Sequence, residues 1–177
     1  WAVIQYRDKS SSPEQRQQQA ATLVSLCHDH GIPLIINDDA ELAAAAGADG
    51  VNLGKSDSTL RSARKRLGAN AVIGVSCYNE FERAVEAARE GADYVAFGRF
   101  FPSQSKPDAV TADPELLRQA RQRLGIPVVA IGGITPENGP PLVTAGAQLL
   151  AAIHGVFGQA DVQAAARRYA ELFSVPT

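Results

Sequence analysis

Gly91-Ala92-Asp93-Tyr94-Val95-Ala96-Phe97-Gly98 holds the decision about fold. Ahead of it, Glu80–Glu90 carries apolar residues at helical spacing. Gly91 then stands where a helix ends in a left-handed residue. Tyr94–Phe97 is a near-continuous apolar run, as expected of a parallel strand covered on both faces. The same opening recurs as Gly47-Ala48-Asp49 before Gly50–Leu53 and as Gly146-Ala147-Gln148 before Leu149–Ile153. Working outward, the remaining strand candidates are Trp1–Tyr6, Leu34–Ile36, Val72–Ser76 and Val128–Ile131. The remaining helical patterns are Pro13–His30, Ala40–Ala46, Leu60–Leu67, Pro114–Leu124, Pro136–Ala145 and Val162–Phe173.

Gly31, Gly47, Gly68, Gly91, Gly125 and Gly146 each follow one of these helical segments, so each predicts a left-handed helix end. Strict strand–helix alternation implies a parallel sheet, either doubly wound or closed into a barrel. The barrel is favoured because the units number seven, no GxGxxG follows an early strand, and polar residues follow nearly every strand. A TIM-type (β/α)8 barrel needs an eighth strand. The expectation is one domain spanning residues 1–177, with the first βα unit missing upstream of Trp1, a chain that also lacks any methionine.

Composition narrows the function classes. With 45% hydrophobic and 20% charged residues, the 177-residue chain reads as an ordinary globular domain. A net charge of −2 supplies no field for nucleic acid or anionic lipid, and no apolar run is long enough to span a membrane. Cys27 and Cys77 are too few for a disulfide framework, and a reducing cytoplasm is the expected setting. Self-association into a homo-oligomer stays open.

The chemistry-bearing residues gather just after the strands. Alternation puts Gln5, Arg7 and Lys9 on one side, and a guanidinium beside an ammonium suits a phosphate or diphosphate. The bland reading is a solvated strand end. Asn37-Asp38-Asp39 and Lys55-Ser56-Asp57 follow the next two strands. Carboxylates from neighbouring loops make an oxygen-rich site suited to Mg²⁺, although Asp39 can simply cap the helix from Ala40. Ser76 ends the fourth predicted strand. After the fifth, Ser103, Ser105 and Lys106 lie between prolines and form a candidate anion cradle. Gly132-Gly133 and Ile153-His154-Gly155 follow the last two strands, where a phosphate site often forms in such barrels.

Other signals are discounted. Cys27-His28-Asp29-His30 sits at a helix end, where the dipole favours histidine without any metal. Lys65-Arg66 and Arg167-Arg168 read as exposed helix faces, and Tyr94, Phe97 and Phe157 as core.

Taken in order, the chain resembles the thiamine-phosphate synthase family along essentially its whole length. The matching pieces are Gln5-Tyr6-Arg7-Asp8-Lys9, Ile36-Asn37-Asp38, Gly47 to Gly54 with Asp57, and Ile73-Gly74-Val75-Ser76. Gly91 to Val95, Gly98 to Lys106 and Ala130 to Ile134 complete the set. The resemblance implies coupling of 4-amino-2-methyl-5-pyrimidinylmethyl diphosphate with a thiazole phosphate. Diphosphate departs, leaving a pyrimidine-methyl cation that the thiazole nitrogen captures. It further implies that Gln5, Arg7, Lys9 and Asn37 bind the pyrimidine diphosphate, and that Asp38 and Asp57 hold Mg²⁺. Ser76 would contact the pyrimidine, while Ser103, Ser105 and Lys106 replace the family's usual Thr-x-Thr-Lys. Catalysis would rest on Arg7, Lys9, Ser103, Ser105 and Lys106, with the thiazole phosphate on Gly133, Ile153 and His154.

Four further positions depart from the family's usual residues. Asn52 stands for histidine, Cys77-Tyr78 for Thr-His, and His154 for a serine. Two other readings use the same fold: a thiazole tautomerase-like isomerase, which needs neither diphosphate grip nor Mg²⁺, and a non-catalytic ligand-binding module.

Overall fold

The computed structural model describes residues 2–55, 59–102 and 111–174. The chain divides into two units, Trp1–Ser76 with Arg89–Asp93, and Cys77–Ala88 with Tyr94–Thr177. Strands and helices alternate until two helices follow the last strand, and the described residues supply all seven expected strands.

In the first unit, β1 (Ile4–Tyr6), β2 (Leu34–Asn37), β3 (Gly50–Leu53) and β4 (Val72–Tyr78) pair in parallel and in chain order. Between them run α1 (Pro13–Asp29), α2 (Ala40–Ala46) and α3 (Leu60–Leu67). Leu34, Ile35, Ile36, Val51 and Ile73 are all at most 1% exposed, and β2 and β3 are inaccessible on both faces. Burying each such side chain contributes roughly 1.5–3 kcal/mol. Helix α1 starts where the sequence dictates. Ser12 and Gln15 form a reciprocal capping box, and Pro13 occupies the first turn, where its missing N–H costs nothing. Asp39 caps α2 by accepting from the Leu42 N–H, as expected.

The recurrent Gly-Ala-Asp acquires a physical reason. Asp49 donates its backbone N–H to the Leu34 carbonyl (2.9 Å), and its carboxylate accepts the Leu34 N–H (2.8 Å). Asp93 makes the same double bond to Ile73, at 2.8 and 2.7 Å. Each aspartate therefore clamps the start of the preceding strand. His28 of α1 reaches Asp49 at 2.9 Å, and Arg64 of α3 reaches Asp93 at 2.7 Å, so each clamp also ties a helix to the sheet. His28 thus has a structural partner. Among the described residues no cluster of three or more potential metal ligands occurs.

The second unit holds Cys77 and Tyr78 from the end of β4, then α4 (Phe81–Arg89), β5 (Tyr94–Phe97), α5 (Glu115–Arg123) and β6 (Val128–Ile131). After these come α6 (Pro140–Ala145), β7 (Leu149–Ala151), α7 (His154–Phe157) and α8 (Val162–Glu171). Strands β5, β6 and β7 pair in parallel and in chain order. Gln148 repeats the clamp with a neutral side chain, its Oε1 accepting the Val128 N–H (3.2 Å).

Several expectations need correction. Strand β4 continues past Ser76 to Tyr78, so Ser76 lies inside a strand instead of ending one. Strand β7 stops at Ala151, because Ile153 leaves the extended region (φ −107°, ψ −76°) and opens α7. Gly125 has no positive φ, unlike the other five helix-following glycines, and Leu124 ends α5 in an extended conformation. Phe157 is 60% exposed instead of buried, whereas Tyr94 and Phe97 do belong to the core.

Cys77 has no exposed surface, and burial pushes its thiol pKa up to about 12 while Arg83 pulls weakly the other way. A raised thiol pKa keeps the folded form protonated. Unfolded thiols ionise near ~8.5, so this contribution to stability is complete below that pH and declines as pH climbs toward the folded value. Native protein treated with iodoacetamide at pH 8 should therefore leave Cys77 unlabelled by mass spectrometry, and denatured protein should label. Stoichiometric labelling of the native thiol would contradict its burial. No described helix is long and apolar enough to cross a membrane.

Candidate active site

Within the first unit, the residues at the carboxyl ends of β1 and β2 meet. The Gln5 amide donates to Asn37 Oδ1 (2.8 Å), and the Lys9 ammonium donates to the Asp38 carboxylate. Arg7, between Gln5 and Lys9 in sequence, is exposed. The loop carrying Lys9 is held by Asp8, which accepts from the Ser10 N–H and hydroxyl (both 2.8 Å) and from the Ser11 N–H (3.2 Å). Hydrogen bonds from Ser11 and Ser10 keep the Asp8 carboxyl well below the usual carboxylate range. It stays ionised and keeps its loop folded. An open cleft of about 350 Å³ lies here, lined by Asp8, Lys9, Arg16, Asn37, Asp38 and Arg66 among others.

Asp38 has a backbone conformation that L-residues rarely take. Its φ is +67°, and its N–H is fixed to the Asn52 carbonyl at 2.8 Å. Such strain persists where the surroundings over-determine it, and it clusters at functional sites. The turn aims a carboxylate that is 26% exposed at the cleft and already attracts a cation, Lys9. Carboxylate and amide oxygens are the ligands a hard divalent ion prefers, so Asp38 with Asn37 fits Mg²⁺ in chemistry. Its expected partner Asp57 lies outside the described residues. Asp39, by contrast, serves the helix cap and lies 3.6 Å from Arg16.

Ser76 is half-buried in β4, and Asn52 of β3 donates its amide to the Ser76 hydroxyl at 3.0 Å. Sequence reasoning noted Asn52 only as a departure from the family pattern. The available signal was a lone amide in an otherwise apolar strand, Gly50-Val51-Asn52-Leu53.

In the second unit the glycines after β6 allow close backbone approach. Gly133 has φ +66°, and a Cβ there would stand 2.3 Å from the Pro102 carbonyl oxygen. A Cβ on Gly132 (φ +93°) would stand 2.3 Å from Arg99 Cβ. Asn138 fixes this turn, its amide donating to the Gly133 carbonyl (3.0 Å) and accepting the Thr135 N–H (2.7 Å). That turn consumes residues 135–138, which is why α6 begins at Pro140 instead of near Pro136. From α8, the buried Tyr169 hydroxyl donates to the Ile134 carbonyl at 2.7 Å. A Cβ on Gly155 would meet that same hydroxyl at 2.0 Å. Tyr169 thereby packs against both the turn after β6 and helix α7, a role without a local sequence signal. Ile153 is 59% exposed, and His154 is exposed at the start of α7. Ser103, Ser105 and Lys106 lie outside the described residues.

Parallel strands alternating with helices, with polar side chains collected after the strands, define a TIM-type enzyme fold. The chain matches the family thiamine monophosphate synthase (TMP-TENI) over residues 1–156 and belongs to it. A curated relative from Nitrosococcus oceani, named thiamine-phosphate synthase, is 54% identical over 97% of this chain and 79% of its own length. A second, from Methylococcus capsulatus and of the same name, is 51% identical over 99% of this chain and 78% of its own. Among solved structures, thiamine phosphate pyrophosphorylase from Pyrococcus furiosus superimposes with a TM-score of 0.85 at 32% identity. That match covers 97% of this chain and 84% of the other.

Proposed function

We propose that this chain is a Mg²⁺-dependent transferase coupling 4-amino-2-methyl-5-pyrimidinylmethyl diphosphate to a thiazole phosphate, with release of diphosphate. The observation that carries the reading is the meeting of Lys9 with Asp38 and of Gln5 with Asn37 at adjacent strand ends. A cation for a leaving diphosphate stands beside a carboxylate for a metal. An isomerase acting on the thiazole alone needs neither. The relatives named thiamine-phosphate synthase support the same reading.

In this reading the C–O bond to diphosphate breaks, and the leaving group takes the electron pair. The thiazole nitrogen then donates its lone pair to the methylene carbon, and no proton moves. Arg7, Lys9 and Lys106 neutralise charge that grows on the departing oxygens, and the Ser103 and Ser105 hydroxyls donate to them, interactions stronger in the transition state than in the ground state. Bound Mg²⁺, held by Asp38 and Asp57, would supply further charge neutralisation for the diphosphate. Gly133, Ile153 and His154 would take the thiazole phosphate through backbone N–H groups. No protein nucleophile is required.

The test is to incubate the protein with both substrates, with and without Mg²⁺, and to measure diphosphate and thiamine phosphate together. Stoichiometric formation of both, lost on chelation, is expected. Isomerised thiazole phosphate without diphosphate would establish the isomerase instead. Binding of either substrate without turnover would establish a binding module.

A further inference from the structure

Helix α8 is fastened to the turn after β6 at three places. The hydroxyl of Tyr169, a residue only 8% exposed, donates to the Ile134 carbonyl at 2.7 Å. Arg168 pairs with Glu137, and Leu172 lies so near Gly139 that a Cβ there would stand 2.9 Å from its Cδ1. The Arg168 pair is exposed and adds little after solvent screening. The Tyr169 bond is buried, and a buried carbonyl that loses its donor is costly. Burial, and then the charge of Glu137, push the Tyr169 hydroxyl pKa up, so it stays a donor.

The same hydroxyl also meets α7. Gly155 lies within that helix and has no positive φ, so its own backbone would accept a side chain. Tyr169 is what excludes one. A Cβ on Gly155 would stand 2.0 Å from the Tyr169 hydroxyl oxygen, 3.1 Å from its Cζ and 3.2 Å from the Ile134 carbonyl oxygen. One oxygen atom therefore contacts both the turn that follows Gly133 and the helix that opens at His154. We propose that Tyr169 is a positioning residue whose hydroxyl sets the spacing of these two segments, and with it the affinity for the thiazole phosphate. This assignment rests on the proposed coupling function, in which Gly133, Ile153 and His154 share that phosphate, and it adds the residue that keeps their two segments in register.

Three variants test it in the full chain, with melting temperature and circular dichroism recorded for each. Tyr169→Phe keeps the ring and removes the hydroxyl. It should raise KM for the thiazole phosphate by about three- to tenfold, leaving kcat and KM for the pyrimidine diphosphate unchanged. Calorimetric titration with the thiazole phosphate alone should show the same loss without turnover. Gly155→Ala should bind more weakly still, because the new methyl drives the hydroxyl away. Adding Tyr169→Phe to Gly155→Ala should then restore part of the binding, since the nearest ring atom is Cζ at 3.1 Å.

A double variant that binds no better than Gly155→Ala would overturn the assignment. So would a Tyr169→Phe protein in which both KM values rise together. A lowered melting temperature with both KM values unchanged marks a purely structural tyrosine and overturns it too. If Gly155→Ala does not fold, the KM split of Tyr169→Phe decides alone. A wild-type chain that binds no thiazole phosphate defeats the underlying coupling function. That outcome is distinct from a wild type and a Tyr169→Phe protein that bind it equally well.

Discussion

Asp38→Gly is expected to leave the melting temperature close to that of wild type, or to raise it, while lowering coupling by more than about a hundredfold. The stability side follows from the backbone. At φ +67° a residue with a Cβ is strained by about 1 kcal/mol, and glycine is not. Against this relief stands the lost Lys9–Asp38 pair, whose partners are 57% and 26% exposed. Pairs this exposed contribute at most about 1 kcal/mol after solvent screening. The two effects offset each other. The activity side follows from the proposed role, since removing a metal ligand exceeds the ten- to hundredfold penalty typical of removing its outer supports (~10–100-fold). Asp38→Asn, which keeps a residue tolerant of the left-handed region, should lose activity nearly as far. Turnover near wild type at limiting Mg²⁺ for either variant would remove Asp38 from the metal site.

The largest loss of stability is expected at Gly50. A Cβ there would lie 1.8 Å from the Val72 carbonyl oxygen and 3.0 Å from Ile35 Cδ1. Gly50 and Val72 are direct partners in the β3–β4 register, so neither backbone can retreat without breaking the ladder. Gly50→Ala should destabilise by about 3 kcal/mol or more, lowering the melting temperature by roughly 6–12 °C in a chain of this size. Gly31→Ala is the control. It meets open space and suffers only from φ +64°, so about 1 kcal/mol is expected. Equal melting temperatures for the two variants would show that the Val72 contact is not what excludes a side chain at residue 50.

Much of this architecture was legible because the strands are short, apolar and punctuated. Gly50–Leu53, Tyr94–Phe97 and Val128–Ile131 form as read, since buried parallel strands need continuous apolar runs with glycine or polar residues at their ends. The misreadings share a cause. Leu149–Ile153 is apolar throughout, so nothing local announces that the chain turns helical at Ile153. The polar Ser76 looked like a strand end, yet it sits inside β4 because the Asn52 amide satisfies it. Hydrogen bonds between residues 24 apart leave no periodic trace. The motif of Gln5, Lys9, Asn37 and Asp38 was readable because these residues follow consecutive strands, and parallel pairing brings such positions together. Tyr169 and Asn138 were not, because one acts across 35 residues and the other within a turn resembling any helix start.

The aspartate clamps carry a consequence for anyone altering this protein. Asp49 and Asp93 grip the amino ends of strands, whereas Asn37 ends β2 and Lys9 and Asp38 lie just beyond carboxyl ends. Retention of shape and choice of ligand are thereby written into separate residues at opposite ends of the sheet, and in β2 at opposite ends of one strand. A library randomised only in the segments after the strands could explore new phosphorylated substrates while the clamps go on holding strand starts in register. Randomising the Gly-Ala-Asp triplets would instead return mostly unfolded chains, informative about stability and silent about chemistry.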